Sequence, residues 1–348
     1  MKKSLYFIYI FLLAGTVAWA GNPDRQGEAG AAQLLMNPYA RSAGLHTMNT
    51  SNISGVEALQ LNPAGLARIN GRTQVVLGHA IYLQGTDIRF NALGLSQRVG
   101  KSGAFGFSLM SIDFGDIPVT TTFQPEGTGA TFSPAFFNMG LSYSHIFENK
   151  VSVGITFRAV SESTSDINAF GFAVDGGVQY VTGEQDNFKF GISLRNVGSR
   201  MAYSGQGLAT AGPAADGGAY NLTYSQRAAG FELPSVLNIG ASYDFLIGGA
   251  HRLTVLGNFA ANSFSRDQLG GGIEYALKER FMLRAAYKAD MGVDDATQAP
   301  IYSGLSAGAS LEIPTSREKK QSTFGLDYAY RATRVWKGTH NVSVRFNF

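Results

Sequence analysis

From residue 72 onward, hydrophobic and polar residues alternate in segments of ten to fifteen residues that end at Gly, Asn, Asp or Lys. The last segment is the clearest: Val342, Val344, Phe346 and Phe348 alternate with polar residues. Side chains of a β-strand point alternately to opposite faces, so each segment predicts a strand with one apolar and one polar face. Fourteen strands are predicted, at residues 72–84, 86–99, 102–113, 135–147, 151–162, 168–182, 187–198, 235–246, 251–262, 267–278, 281–290, 304–313, 322–333 and 339–348.

The length and number of these segments indicate a fold class. A strand that crosses a membrane needs about 9–11 residues at a tilt of about 45°. Single-chain bacterial barrels have even strand numbers, with short periplasmic turns and long outer loops. The longest connections, 114–134, 199–234 and 291–303, all fall at one end of a fourteen-stranded barrel. We therefore predict an all-β fold, a 14-stranded antiparallel transmembrane β-barrel over residues 72–348, in the outer membrane of a Gram-negative bacterium.

A secreted β-sandwich is the alternative to a barrel. Its strands are usually shorter, about 5–6 residues, and its polar face meets solvent with more charge than this chain carries. Aromatic residues near the predicted strand ends also favour the barrel, because they would form the interfacial girdles at Phe147, Tyr180, Phe245, Phe281 and Trp336. The terminal Phe348 resembles the aromatic C-terminus by which barrel-assembly machinery recognises its clients. That machinery and outer-membrane lipid are thus expected partners.

The N-terminal region lacks the strand pattern. Lys2 and Lys3, an apolar run over 5–17 and the small residues around Trp19 are typical of a signal peptide over residues 1–20. In residues 21–71, the pairs Asn37-Pro38 and Asn62-Pro63 predict helix starts, since Asn caps free N–H groups and Pro suits the first helical position. This segment is either a plug folded into the barrel lumen or an ordered periplasmic segment.

Composition excludes several classes of site. The chain has no cysteine, which excludes disulfides, cysteine-ligated zinc and a thiol nucleophile. Its formal net charge of +3 is too small for an obvious nucleic-acid partner. No histidine pair has the spacing of a zinc motif, and no nucleophile-elbow motif is present. We therefore predict a protein that is not an enzyme, with no catalytic residue, metal or cofactor. A lipid-modifying enzyme would need Ser and His on one face, and Ser144-His145 is the only adjacent pair.

Strand alternation places a set of charged residues on the lumen side. They include Lys189 and Lys288 and the eight principal candidates Arg158, Arg195, Asp244, Glu274, Arg284, Asp327, Arg331 and Arg345. One interpretation is a set of ion pairs across the lumen that hold the walls and the plug together. The other is a weakly anion-attracting pore. Mixed signs favour the first, because buried polar groups need partners.

The long outer loops contain many aromatic residues and few charges. Since interfaces are enriched in Tyr and Phe, these loops are candidate partner-binding surfaces, at Phe114, Phe123, Phe132, Tyr203, Tyr220, Tyr224 and Phe231. The same loops could instead form a lid over the barrel mouth or a hydrophobic surface on which a substrate docks.

The motif Asn62, Pro63, Ala64, Gly65, Leu66, continued by Ala67 and placed just before the first strand, resembles the PorV/PorQ family. That family belongs to the larger group of barrels similar to the fatty acid transporter FadL. Family members often have an acidic stretch before the motif and an aromatic residue just ahead of it, whereas this chain has 49–52 without acid and Leu61.

The resemblance implies that the chain is a non-enzymatic component of the type IX protein secretion pathway of Bacteroidetes. Such a component would bind a large translocon subunit and secreted cargo through its extracellular loops. The alternative, from the same group of barrels, is a FadL-like passive transporter of hydrophobic small molecules through a plugged lumen.

Overall fold

The computed structural model describes residues 23–293, 299–315 and 322–348. The predicted signal peptide and parts of two predicted connections lie outside the described residues. In the described chain, fourteen long strands form one closed antiparallel β-barrel. They are β1 (Thr73–Ile81), β2 (Arg89–Val99), β3 (Gly103–Asp113), β4 (Ala135–Phe147), β5 (Val151–Thr164), β6 (Ile167–Thr182), β7 (Phe188–Gly198), β8 (Val236–Ile247), β9 (His251–Asn262), β10 (Gln268–Leu277), β11 (Phe281–Asp290), β12 (Tyr302–Pro314), β13 (Thr323–Thr333) and β14 (Thr339–Asn347).

Each strand pairs with its neighbours in the sequence, and the barrel closes where β1 pairs with β14. In that pairing Leu77 lies opposite Val344. The predicted number and antiparallel order of the strands are confirmed. None of the helices in the described ranges is long and apolar enough to cross a membrane.

The alternation along each strand separates the lumen from the outside of the barrel. In β14, Asn341, Ser343 and Arg345 are buried in the lumen, whereas Val342 between them is exposed. The other strands repeat the pattern, so large apolar side chains such as Leu141 and Phe172 cover the outside. The barrel therefore presents an apolar outer wall around a polar interior. The predicted girdle residues are exposed near the strand ends, at Phe147, Tyr180, Phe245, Phe281 and Trp336.

The two ends of the barrel differ. At one end, called here the long-loop end, the connections 114–134 and 199–235 are long. The first contains a small hairpin of Ile117–Pro118 with Thr131–Phe132, and the second contains a hairpin of Ala209–Pro213 with Asn221–Ser225. The second also contains a 3-10 helix, Gln206–Leu208, and a short strand, Ser204–Gly205, that pairs with β6. The opposite, short-turn end has tight turns.

The turn between β1 and β2 is longer than the sequence pattern predicts. Strand 72–84 was expected, but β1 ends at Ile81. The cause is backbone conformation, because Leu83 has φ 46° and Asp87 has φ 58°, in the left-handed region that an extended strand does not use.

Residues 29–70 lie inside the barrel and are called the plug below. The plug starts at the long-loop end, where Gly30 N–H donates to Glu232 O. It finishes at the short-turn end, where Arg98 Nη2 donates to Ile69 O. Its elements are short, an α-helix at Ala40–Gly44 and 3-10 helices at Ala32–Leu35, Gly55–Gln60 and Pro63–Ala67, with a further 3-10 turn at Pro23–Arg25 before it. The α-helix contacts β12 to β14, and the last 3-10 helix contacts β3 to β6.

Candidate functional site

The motif at residues 62–66 attaches the plug to the barrel wall. The Asn62 side-chain oxygen accepts from the Ala64 N–H at 3.1 Å and so caps the short helix that follows, as the sequence predicts. Its amide nitrogen donates to Thr50 O at 3.0 Å, which ties two parts of the plug together. From the wall, Ser144 Oγ donates to Ala64 O at 2.9 Å. One capping residue thus organises both the plug and its contact with the wall.

Glycines in the wall make room for this motif. A Cβ on Gly154 would lie 2.3 Å from the carbonyl carbon of Pro63, and a Cβ on Gly177 would lie 2.0 Å from the Asn62 side-chain oxygen. Both distances are below any real carbon contact. The plug backbone therefore approaches the wall more closely than an alanine would allow.

The last two motif residues pack within the plug. A Cβ on Gly65 would lie 2.2 Å from Ile53 O, so two plug segments also touch by backbone. Leu66 is fully buried in a cluster with Tyr39 and Leu59. The motif thus combines a cap, a close approach and an apolar anchor.

Arg158 forms a buried ion pair beside the plug. Its Nε donates to Asp175 Oδ2 at 2.6 Å, and both side chains are almost wholly buried. The same guanidinium donates to Leu59 O of the plug through Nη2. Asp175 also accepts from Asn196 N–H at 2.7 Å, so each of its two carboxylate oxygens has a hydrogen-bond donor on the wall. Sequence analysis missed Asp175, although its position in the alternation of β6 places it toward the lumen.

A second charged cluster follows neighbouring strands. Glu274 accepts from Arg284 and, at 2.9 Å, from Arg252. Asp244 accepts from Lys189 at 2.6 Å. These residues lie on β7 to β11, each strand adjacent to the next. The ion pairs of this cluster therefore connect adjacent strands of the wall.

A third cluster joins the end of the chain to its neighbours. Arg345 on β14 donates to Glu312 on β12 at 2.9 Å and lies 3.7 Å from Asp327 on β13. The expectation of ion pairs across the lumen is wrong for these three clusters. The pairs run along the wall, because the plug occupies the centre of the barrel.

A cavity of about 280 Å³ lies between the plug and the wall at the long-loop end. Its apolar lining includes Leu35, Met36, Leu61, Tyr82 and Val236. Its polar lining includes four side-chain amides, at Asn238, Asn258, Asn262 and Gln268. The cavity is therefore apolar on one part of its surface and hydrogen-bonding on another.

Basic side chains also line this cavity. Arg195, Lys288 and Arg331 reach it from three strands, and His46 reaches it from the plug. The Arg331 guanidinium lies 4.8 Å from the ring centre of Tyr302, whose ring meets His46 edge-on at 5.6 Å. Burial, together with the nearby Lys288 and Arg331, lowers the pKa of His46, which keeps its imidazole neutral.

Of the charged residues predicted for the lumen, Arg195 and Arg331 are thus separate from the wall clusters. Arg195 Nη2 donates to Leu34 O of the plug at 2.8 Å. His46 and Tyr302 were missed by sequence analysis. The signal for His46 is weak, because it is a single histidine in a segment without periodicity.

The seven aromatic residues of the outer loops do not form one surface. Phe114 packs edge-on against Phe136 at 4.9 Å, toward the barrel mouth. Tyr203 packs on Phe231 at 5.6 Å between ring centres and donates its hydroxyl to Glu162. Phe132 is half-buried, whereas Phe123, Tyr220 and Tyr224 are exposed.

Comparison with known proteins finds similarity only at the level of the fold. No family model matches the chain, and no curated protein matches it. Solved structures do match. The toluene transporter TodX of Pseudomonas putida has a TM-score of 0.56 at 15% identity, covering 90% of this chain and 99% of that one. The toluene transporter TbuX of Ralstonia pickettii has a TM-score of 0.54 at 13% identity, covering 89% and 97%.

A FadL homologue of Pseudomonas aeruginosa matches with a TM-score of 0.51 at 12% identity, over 89% of this chain and 98% of that one. At these identities the likeness concerns the fold. Over its described residues the chain forms a closed barrel of fourteen long strands, and this fold is similar to that of the FadL homologue.

Proposed function

We propose that this chain is an outer-membrane channel for small, largely apolar organic molecules. The observation that carries the proposal is the partly apolar cavity of about 280 Å³, walled by the barrel and closed below by the plug. Ligand sites are typically concave and mostly apolar, with a few placed polar groups. The similar solved structures named above include two toluene transporters, which supports the same kind of cargo.

The surface of the barrel supports a membrane position. Its outer wall is apolar, and its strands of 9 to 16 residues suit the thickness of a bilayer. Long loops at one end and tight turns at the other fit the extracellular and periplasmic ends of an outer-membrane barrel. We therefore place the long-loop end, with the cavity, outside a Gram-negative cell.

The plug lies between the cavity and the short-turn end. A molecule that enters the cavity meets Met36 and Leu61 of the plug. The plug is attached by hydrogen bonds such as that from Arg195 to Leu34 O, and by packing, with no covalent cross-link. Passage along the barrel axis therefore requires the plug to move.

The channel function is better supported than the secretion role that the sequence motif suggested. The comparisons lend no support to a PorV/PorQ identity, a type IX component or a Bacteroidetes source. The candidate partner-binding aromatics are also divided, with Phe114, Tyr203 and Phe231 turned toward the barrel and Phe123 exposed. We propose no catalytic role.

The test is uptake of a radiolabelled monoaromatic compound, toluene, by a Gram-negative host that lacks its own channels of this class. Cells that express the chain should take up toluene several-fold faster than cells with an empty vector. A matched control is uptake of a neutral sugar of similar size, which should not change while the plug is in place. Equal toluene uptake with and without the chain would contradict the proposal.

A further inference from the structure

The cavity carries an imbalance of charge. Arg195, Lys288 and Arg331 line it, and its described lining contains no Asp or Glu. By contrast, Arg158, Arg284 and Arg345 on the wall each form an ion pair with a described carboxylate. Within the described ranges, no carboxylate lies within ion-pair distance of Lys288 or Arg331. Three basic groups thus line one partly open space, and no carboxylate is among the described residues that line it.

The basic groups have unused hydrogen-bonding atoms. The Nε atoms of Arg195 and Arg331 are buried with no partner in the described chain, and both ring nitrogens of His46 are equally unpaired. Arg195, Arg331 and His46 are each more than nine-tenths buried. A buried donor without a partner is costly, so these groups indicate a ligand that accepts hydrogen bonds.

The rest of the lining restricts what such a ligand can be. The amides of Asn238 and Asn258 lie close to the same space, while Leu35 and Val236 provide apolar contact. A hydrated inorganic ion would leave the apolar part uncovered. The lining fits a compact molecule with an anionic head and a short apolar body.

We propose that this cavity binds a small amphipathic molecule whose head group carries two negative charges, of the phosphate-monoester type. A single carboxylate would neutralise one of Arg195, Lys288 and Arg331 and leave the others facing each other. A phosphate monoester carries about two negative charges at neutral pH and offers three acceptor oxygens. Arginine and lysine are the side chains that bind such groups best. This inference rests on the proposed channel function, to which it adds an amphipathic anion as a second class of ligand beside the neutral apolar one.

The experiment is calorimetric titration of the purified full-length protein in detergent at pH 7.5. The probes share one ring and differ in charge: phenyl phosphate, benzoate and benzyl alcohol. Phenyl phosphate should bind at least tenfold more tightly than benzoate, and benzyl alcohol should bind more weakly still. Lys288→Gln and Arg331→Gln should each lower the affinity for phenyl phosphate at least tenfold and leave the affinity for benzyl alcohol unchanged.

Lys337→Gln is the matched control, because Lys337 is exposed in a loop at the same end and does not line the cavity. Folding of each variant is checked by the migration shift that folded barrels show on unheated gels. Equal affinity for the three probes would overturn the inference. So would a loss in Lys337→Gln as large as in Lys288→Gln, since binding would then reflect general charge.

The two proposals fail separately. If toluene is taken up by cells but phenyl phosphate shows no preference, the channel stands and the anion site is wrong. If phenyl phosphate binds with the expected order but neither it nor toluene is taken up, the site stands and the channel is wrong.

Discussion

Replacing Gly154 by Ala should detach the plug from the wall. The new Cβ would lie 2.3 Å from the carbonyl carbon of Pro63 and 2.5 Å from Ala64 N, whereas ordinary contact begins at 3.4 Å. The motif must therefore retreat by about 1 Å, because backbone atoms cannot rotate away as a side chain can. Such overpacking costs about 1–3 kcal/mol. Losing the bond from Ser144 to Ala64 O adds about 1 kcal/mol.

Together these effects disfavour the docked plug by about 2–4 kcal/mol. Since each 1.4 kcal/mol changes a ratio tenfold, the undocked fraction should rise by at least about tenfold. The assay is single-channel conductance in planar bilayers, where an undocked plug opens a water-filled lumen. Gly176→Ala is the matched control, because a Cβ there meets no atom within 4 Å. Equal conductance of the two variants would refute the reasoning.

Three further predictions concern the plug and its surroundings. Asp175→Asn leaves Arg158 buried without a counter-charge and should cost about 3–5 kcal/mol in urea unfolding, whereas Asp216→Asn in an exposed loop should cost little. Asn62→Ala removes the helix cap and should cost about 1 kcal/mol while raising amide exchange in residues 63–67. His46 has its pKa lowered by burial, so the folded state loses stability as pH falls below 6.5, where the unfolded His46 gains a proton. Its contribution is no more than about 1.4 kcal/mol per pH unit, and His46→Gln should flatten the dependence between pH 7 and 5; an unchanged slope would show that His46 is not its source.

The barrel was largely predictable because each strand is encoded by the alternation of neighbouring residues in the sequence. Alternation with a period of two fixes which face of a strand is apolar, as in β14, where Val342 is exposed and Ser343 is buried. The parity of long and short connections then orients the barrel. Strand ends were less predictable, since the end of β1 depends on the left-handed backbone of Leu83 and Asp87.

The site was only partly predictable because its contacts join residues far apart in the sequence. Alternation placed Arg331 and Lys288 toward the lumen, but it could not give their partners. Asp175 pairs with Arg158 only through the register of β5 with β6, and Arg195 finds its acceptor, Leu34 O, 161 residues away. The motif at 62–66 indicated an ordered plug, yet its resemblance to a secretion family did not predict the cavity beside it.

The central claim is that cargo passes only when the plug moves, and a reversible cross-link between plug and wall tests it most directly. A Cβ on Gly44 of the plug would lie 3.6 Å from the Cβ of Ala329 on β13, within the range of about 3.5–4.5 Å that a disulfide needs. The same Cβ would lie 3.1 Å from the Cα of Gly308, so the backbone there must shift by a few tenths of an ångström. The chain has no cysteine of its own, so a Gly44→Cys, Ala329→Cys double variant forms one defined bond.

Toluene uptake should be measured with this double variant oxidised and then reduced in the same cells. The account predicts that oxidation lowers uptake at least tenfold and that reduction restores it. The reduced form is the control for any effect of the substitutions themselves. Uptake by the oxidised variant at the reduced rate would contradict the account, because cargo would then bypass a plug that is fixed in place.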